Sequence, residues 1–205
     1  MEDRSVMSTK FCTQCGHSIT RQIPQNDDHV RAVCSSCGHI HYENPKMVVG
    51  TIPVFQDRIL MCKRNIDPRK GCWTLPAGYL ENEESVQQGA VRETLEETRA
   101  QVRILSPYRM FNILFVDQIY MMFIAELLSQ DFGPTTESTD VRLFSQSNIP
   151  WDEIAFDVIR QTLEDYFTDR KNAGDHEFNP EAFMFKIKDL EFSPFNGGVL
   201  CHKSF

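Results

Sequence analysis

The sequence predicts an α/β chain: a mixed sheet with helices on its faces, preceded by a small cysteine-rich unit. Three observations carry this. Two Cys-x-x-Cys pairs lie within residues 12–37. Runs rich in β-branched residues then alternate with two helical patterns, in the order strands, helix, strands, helix, which packs as a sheet covered by helices. The first helical pattern ends in a cluster of glutamates that a helix has no reason to gather unless something cationic sits among them.

The cysteine unit comes first. Cys12 and Cys15 are two residues apart, as are Cys34 and Cys37, and each pair is followed by a glycine, Gly16 or Gly38. Four thiolates at this spacing suit a closed, tetrahedral, structural zinc site. Two disulfides are the alternative. The first eleven residues lack the apolar core of a secretory signal, so a reducing compartment and a metal are the better reading. A segment of this size has little core, and Zn²⁺ would supply much of its folding energy. His17, His39 and His41 are surplus to a four-cysteine site and are read as surface residues. The unit is expected to span residues 1–45, where Asn44-Pro45 forces an extended exit.

A second domain is expected over residues 46–168. Residues 47–55 and 58–64 read as paired strands joined by a turn at Gln56-Asp57. Cys62 and Cys72, away from the pairs, read as buried small residues. The segment GCWTLPAGYL at 71–80 packs a loop against the sheet through Trp73, Leu75 and Pro76. A helix over 85–98 opens with Ser85 and Gln88 at capping-box spacing. Strands follow at 101–105, 110–115 and 118–127, then a loop over 131–139 and a short strand at 141–144. A last helix opens at Pro150 and runs to about Phe167. Residues 169–205 form an extension: a polar linker over 169–183, then a stretch that offers one or two strands or docks a partner. Cys201-His202 reads as a surface pair.

The chain has 205 residues and a formal net charge of -8, which disfavours non-specific nucleic-acid binding. No apolar run is long enough to span a bilayer. The protein is expected to be cytoplasmic, with a small-molecule partner.

Six of the twenty residues from Gly78 to Glu97 are glutamates. On a helix, Glu93, Glu96 and Glu97 share a face. Val86, Ala90, Val91 and Leu95 fall on another arc and are expected to pack inward. Carboxylates crowded together at ~4 Å repel by about 4 kcal/mol per pair at an effective dielectric of 20. Divalent cations that prefer oxygen ligands, with substrate phosphates, relieve that repulsion. A solvated acidic face is the alternative.

The spacing of this stretch is Gly78, five residues, Glu84, seven residues, Arg92-Glu93, two residues, Glu96-Glu97. It resembles the Nudix box, the loop-helix-loop signature of hydrolases that cleave nucleoside diphosphates linked to another moiety. Three positions depart from that box. Thr94 and Ala100 stand where an aliphatic residue is usual, and Arg99 where a glycine is usual. Arg99 reaches a left-handed turn only at some cost, so the helix exit is expected to differ.

The resemblance extends through CTQCG, CSSCG, NPKMVVG, CKRNIDPRKGCWTLPAGYLE, ESTDVRLF and IPWDEIAF, over residues 11–167. It is to a zinc-ribbon Nudix subfamily of bacterial and plant-plastid FAD and ADP-ribose pyrophosphatases. It implies an α/β/α sandwich and a diphosphate hydrolase using Mg²⁺ or Mn²⁺. By the same resemblance Glu93 and Glu97 are metal ligands, Glu96 a ligand or the general base, and Glu84 an outer ligand through water. Arg92 orients a box carboxylate, Gly78 lets the loop approach closely, and Glu137 supplies one more metal-binding or basic carboxylate. The SQPWPFPxS motif of NADH pyrophosphatases is absent, which ranks NADH below FAD and ADP-ribose. A non-catalytic ADP-ribose-type regulator and an RNA-cap hydrolase are the other readings, and a homodimer is in keeping with the family.

Overall fold

The computed structural model describes residues 9–173 and 185–190. The chain divides into two compact units, Met1–Asn44 and Pro45–Phe205. Among the described residues no helix is long and apolar enough to cross a membrane.

The first unit is a three-stranded antiparallel sheet in the order β1 (Ile19–Gln22), β2 (Arg31–Cys34) and β3 (Ile40–His41). Its interior holds little beyond Ala32, Val33, Cys12 and Cys34. Nothing on that scale offsets the entropy of ordering the segment, so the cysteines must do so.

The second unit is built on an eight-stranded mixed sheet. Its strands are β4 (Lys46–Phe55), β5 (Arg58–Arg64), β6 (Trp73–Thr74), β7 (Ala77–Tyr79), β8 (Val102–Ile113), β9 (Gln118–Leu127), β10 (Ser138–Phe144) and β11 (Lys186–Leu190). The main path runs β10-β5-β4-β9-β8-β11, with β6 added to β5 and β7 to β4. β4 lies parallel to β9, and β11 parallel to β8; the other pairs are antiparallel. Helix α1 (Val86–Thr98) covers one face and α2 (Asp157–Asn172) the other. β4 is buried on both faces, from Val48 to Val54. Its alternate residues divide accordingly: Val49 packs with Ala90 of α1 and with Phe123, while Ile52 and Val54 join Leu163 and Tyr166 of α2.

One local feature positions the site. β4 and β5 pair only at their turn, through Val54↔Ile59 and Phe55↔Arg58. Beyond it they separate. β6 occupies β5 at Cys62 and Lys63, and β7 occupies β4 at Val48, Val49 and Gly50. Gly78, at the centre of β7, is thereby held inside the opening of the sheet, against Glu93 of α1.

The structure corrects several boundaries. The expected strands 101–105 and 110–115 are one strand, β8, with register shifts between Ile104 and Ser106 and between Pro107 and Arg109. Pro107 lacks an N–H, and the irregularity absorbs it where β11 does not yet pair. The second helix begins at Asp157, not near Pro150. Residues 151–153 form a 3₁₀ turn, and Ile154 instead pairs with Trp73, with the Ala155 N–H donated to the Trp73 carbonyl at 2.8 Å. α2 continues to Asn172, into the stretch expected to be a linker, because Asp169 has inward partners. Arg109, 1 % exposed, donates to Asp165 at 2.9 Å and to Asp169, and the Tyr108 hydroxyl reaches Asp169 at 3.0 Å. Lys188 of β11 bonds Asp165 at 2.7 Å from outside. Among the described residues the extension thus contributes one strand, β11, whereas Cys201 and His202 lie outside them.

Candidate active site

α1 begins and ends on local chemistry. The Ser85 hydroxyl accepts the Gln88 N–H at 3.3 Å, and the Gln88 side chain accepts the Ser85 N–H at 2.8 Å, closing a capping box. At the other end Arg99 takes the left-handed conformation at φ 60° and donates its N–H to the Leu95 carbonyl at 2.8 Å. The exit expected to differ therefore keeps the left-handed turn, with Arg99 bearing the strain a glycine would avoid.

The inward arc of α1 is broader than the one expected: Ala90 is buried and Val86 and Val91 pack against the core, but Leu95 is 48 % exposed. The buried residues are Gly89, Ala90, Glu93, Thr94, Glu97 and Thr98. The reason is what the sheet offers opposite. Thr51 of β4 places its hydroxyl 2.6 Å from that of Thr94, which in turn donates to the Ala90 carbonyl at 2.7 Å. The polar side of the helix finds polar partners, and two glutamates are carried inward with it.

Glu93 and Glu97 are 9 % and 5 % exposed. The Glu93 carboxylate lies against Gly78, where a Cβ would come within 2.2 Å of its Oε2. Glu97 Oε2 accepts the Ala77 N–H at 3.0 Å and the Cys62 thiol at 3.7 Å. Burial pushes the Glu97 carboxyl up to about 7, against the pull of the Ala77 N–H. Burial also raises Glu93, although Arg92 opposes it. Among the described residues no cation reaches ion-pair distance of Glu97.

Arg92 binds the rest of the cluster. It grips Glu84 with two bonds, Nε to Oε2 at 3.0 Å and a terminal nitrogen to Oε1 at 2.7 Å. It also reaches Glu93 at 2.6 Å, Glu96 at 3.0 Å and the Tyr79 carbonyl at 3.0 Å. These bonds hold the Glu84 carboxyl well below its usual range, helped by the Glu81 N–H at 2.8 Å. Both Glu84 oxygens are thus engaged by protein. Glu96 is on the rim, its side chain 51 % exposed. Glu137 sits on an exposed loop whose next residue, Ser138, donates to the Glu97 carbonyl at 2.6 Å, and its charge is felt at Glu93.

Sequence reading missed the partners of Glu97. Cys62 is a buried small residue as expected, 1 % exposed, and its sulfur also meets the most buried carboxylate of the cluster. Alternation along β5 was the one available clue, since it puts Leu60 and Cys62 on the face of the sheet that α1 covers. Of the aromatic residues, Phe111 is fully buried in the core, while Tyr79 is 49 % exposed with Lys46 over its ring.

In the first unit the four cysteines converge. All four sulfurs lie within 4.8 Å of one another, and none is in a disulfide. The two knuckles repeat one geometry. Gly16 donates to the Cys12 carbonyl at 2.8 Å and Gly38 to the Cys34 carbonyl at 3.2 Å, both glycines at φ 73°. The N–H groups of Cys37 and Ser36 point at the Cys34 sulfur and lower the pKa of that thiol. Four thiolate donors this close together fit a zinc ion.

Comparison with known proteins agrees with both units. The family described as Nudix N-terminal, a zinc ribbon, matches residues 10–43, and the NUDIX domain matches residues 44–166. A crystal structure of a Nudix hydrolase from Nitrosomonas europaea is 44% identical, with a TM-score of 0.82, covering 89% of this chain and 99% of that one. An ADP-ribose pyrophosphatase of Methanocaldococcus jannaschii is 29% identical over 61% of this chain and 75% of its own length. An NAD-capped RNA hydrolase, NudC, of Vibrio parahaemolyticus is 28% identical over 79% of this chain, which spans 62% of that protein. With the ribbon and the sandwich in place, the domain match over residues 44–166 makes this chain a member of the Nudix hydrolase family.

Proposed function

We propose that the protein hydrolyses the diphosphate bond of a nucleoside diphosphate linked to another moiety, with ADP-ribose and FAD as the first substrates. The observation that carries this is Glu97: a carboxylate 5 % exposed, with no protein cation within ion-pair distance among the described residues. A buried charge of that kind needs a counter-ion. Hard oxygen donors from Glu93 and Glu97, with Glu96 and Glu137 at the rim, suit Mg²⁺ or Mn²⁺. When bound, such an ion supplies Lewis-acid polarisation of the phosphate and lowers the pKa of a water.

The chain's own residues do the rest. Ala77 and Cys62 fix one oxygen of Glu97 and leave the other to the site. Arg92 sets the angles of Glu93 and Glu96, and the first task of Glu84 is to hold Arg92. Glu96 and Glu137, both exposed, are the carboxylates placed to take a proton from the attacking water. The products would be AMP and ribose 5-phosphate from ADP-ribose, or FMN and AMP from FAD. The M. jannaschii relative's name supports ADP-ribose. The NudC relatives support a second reading, NAD-capped RNA, against which the net charge of -8 weighs. Thiolates such as those of the ribbon persist in a reducing compartment such as the cytoplasm.

The test is a panel of FAD, ADP-ribose, NADH, diadenosine polyphosphates and NAD-capped RNA with Mg²⁺ or Mn²⁺, followed by phosphatase-coupled phosphate release. One of these should turn over, and Glu96→Gln or Glu97→Gln should remove nearly all of the rate. Ligand binding without turnover in metal-replete protein would instead make the protein a regulator.

A further inference from the structure

The loop that carries Glu137 is tied down from two sides. Asn65, the residue after β5, gives its N–H to the Glu137 carbonyl at 2.8 Å and its side-chain amide to the Thr136 carbonyl at 2.9 Å. On the other side Ser138, 1 % exposed, gives its hydroxyl to the Glu97 carbonyl at 2.6 Å. Within the loop the Thr135 N–H reaches both the carbonyl and the hydroxyl of Ser138 at 3.1 Å, and the Thr135 hydroxyl accepts the Glu137 N–H at 3.1 Å. Both backbone polar groups of Glu137 are therefore engaged by protein, although the residue is exposed.

An exposed loop does not need these bonds, because water satisfies its backbone at little cost. What they do is fix a direction. β5 and β10 pair at Arg64↔Ser138, and their register shifts between Ser138 and Asp140. A shift of this kind re-aims the side chains beside it. Asn65 continues the pairing one residue beyond Arg64, and its half-buried side chain secures the next carbonyl as well. The charge of Glu137 is felt at Glu93, so the tied loop keeps that charge near the cluster.

We propose that Asn65 is a positioning residue for Glu137: its two bonds to the loop backbone hold the Glu137 carboxylate toward Glu93, where its charge adds to the cluster's grip on a divalent cation. This rests on the hydrolase reading above. The rival role for Asn65 is simple closure of the edge between β5 and β10. Thr139 separates the two roles. Its hydroxyl bonds the Lys63 carbonyl at 3.3 Å across the same edge, without touching the backbone of Glu137.

The experiment measures Mn²⁺ binding to the zinc-loaded chain by electron paramagnetic resonance, amide hydrogen exchange of the 135–138 loop, and steady-state kinetics on the substrate that turns over. The variants are Asn65→Ala, Asn65→Ser, Glu137→Gln, the Asn65→Ala/Glu137→Gln double, and Thr139→Val. Removing the Glu137 charge should weaken Mn²⁺ by about five- to tenfold. Asn65→Ala should weaken it by about threefold and lower kcat by about tenfold with KM nearly unchanged. It should also speed exchange of the Glu137 amide and leave α1 alone. Asn65→Ser keeps a shorter donor and should fall between alanine and the wild type. Once Glu137 is Gln, losing Asn65 should change neither Mn²⁺ affinity nor kcat further. Thr139→Val should leave both within about twofold of the wild type. Wild-type Mn²⁺ affinity and kcat in folded Asn65→Ala would overturn the proposal. So would additive losses in the double variant, or a Thr139→Val that behaves like Asn65→Ala. If no diphosphate on the panel is cleaved while Mn²⁺ binding still depends on Asn65 through Glu137, the hydrolase reading falls and the positioning role stands.

Discussion

The carboxylate of Glu93 rests on the α-carbon of Gly78, so closely that a methyl group at residue 78 would stand 2.2 Å from Glu93 Oε2. A residue of β7 and a helix residue fifteen positions apart thus share one volume. Gly78→Ala must push the carboxylate out of place or drive the loop from β4. Displacement of a reacting group by about 1 Å costs on the order of a hundredfold in rate. We expect kcat to fall by at least that factor while the fold survives, with assay and thermal melting of the same preparation as the check. Wild-type kcat in the alanine variant would mean that Glu93 takes no part.

Protonation of Glu97 gives a second prediction, for protein prepared without added divalent metal. Its carboxyl is raised by burial to about 7, from an unfolded value near 4.5. Between those values the folded state holds the proton and the unfolded state does not, so stability falls as pH rises through that window. The loss is at most about 3 kcal/mol between pH 4.5 and 8. Glu93 shifts in the same direction. Urea midpoints at pH 5 and pH 8 should show the decline, added Mn²⁺ should reverse it at pH 8, and Glu97→Gln should flatten it.

The paired hydroxyls of Thr51 and Thr94, 2.6 Å apart in the core, permit a double-mutant cycle. Thr94→Val strands the Thr51 hydroxyl and should cost about 1–3 kcal/mol in chemical denaturation. Thr51→Val with Thr94→Val, which removes both polar groups, should cost less than the sum of the two single changes.

For the ribbon, the expected content is one zinc per chain by atomic absorption. Cys34→Ala should release it and abolish the dispersed amide resonances of residues 9–43, since binding free energies of about 10–16 kcal/mol are being withdrawn from a unit with little core. The melting transition of the larger unit should persist.

How far the sequence could be read follows from where the information was local. The four cysteines, the capping box at Ser85 and the spacing of Glu84, Arg92, Glu93, Glu96 and Glu97 are chemical patterns within a short span. The inward face of α1 was legible only in part, at Val86, Ala90 and Val91. Hydrophobicity pointed to Leu95, but what turns the helix is a hydroxyl on β4 more than forty residues away. The same is true of α2. Its continuation past residue 167 depends on Arg109 of β8 asking for Asp165 and Asp169, a demand that no property of the helix itself reveals. The contact between Cys62 and Glu97 is likewise a product of sheet register and not of either residue's neighbours.

Arg92 has one further consequence. A single side chain ties Glu84, Glu93, Glu96 and the Tyr79 carbonyl before any ion arrives. The cluster is consequently preorganised: a cation bound as proposed would find its donors already in their rotamers and need not freeze loose side chains. Empty and loaded protein should therefore superimpose closely around α1, and selectivity among divalent ions would be governed by ionic radius and dehydration, with little left for the protein to do by closing around its guest.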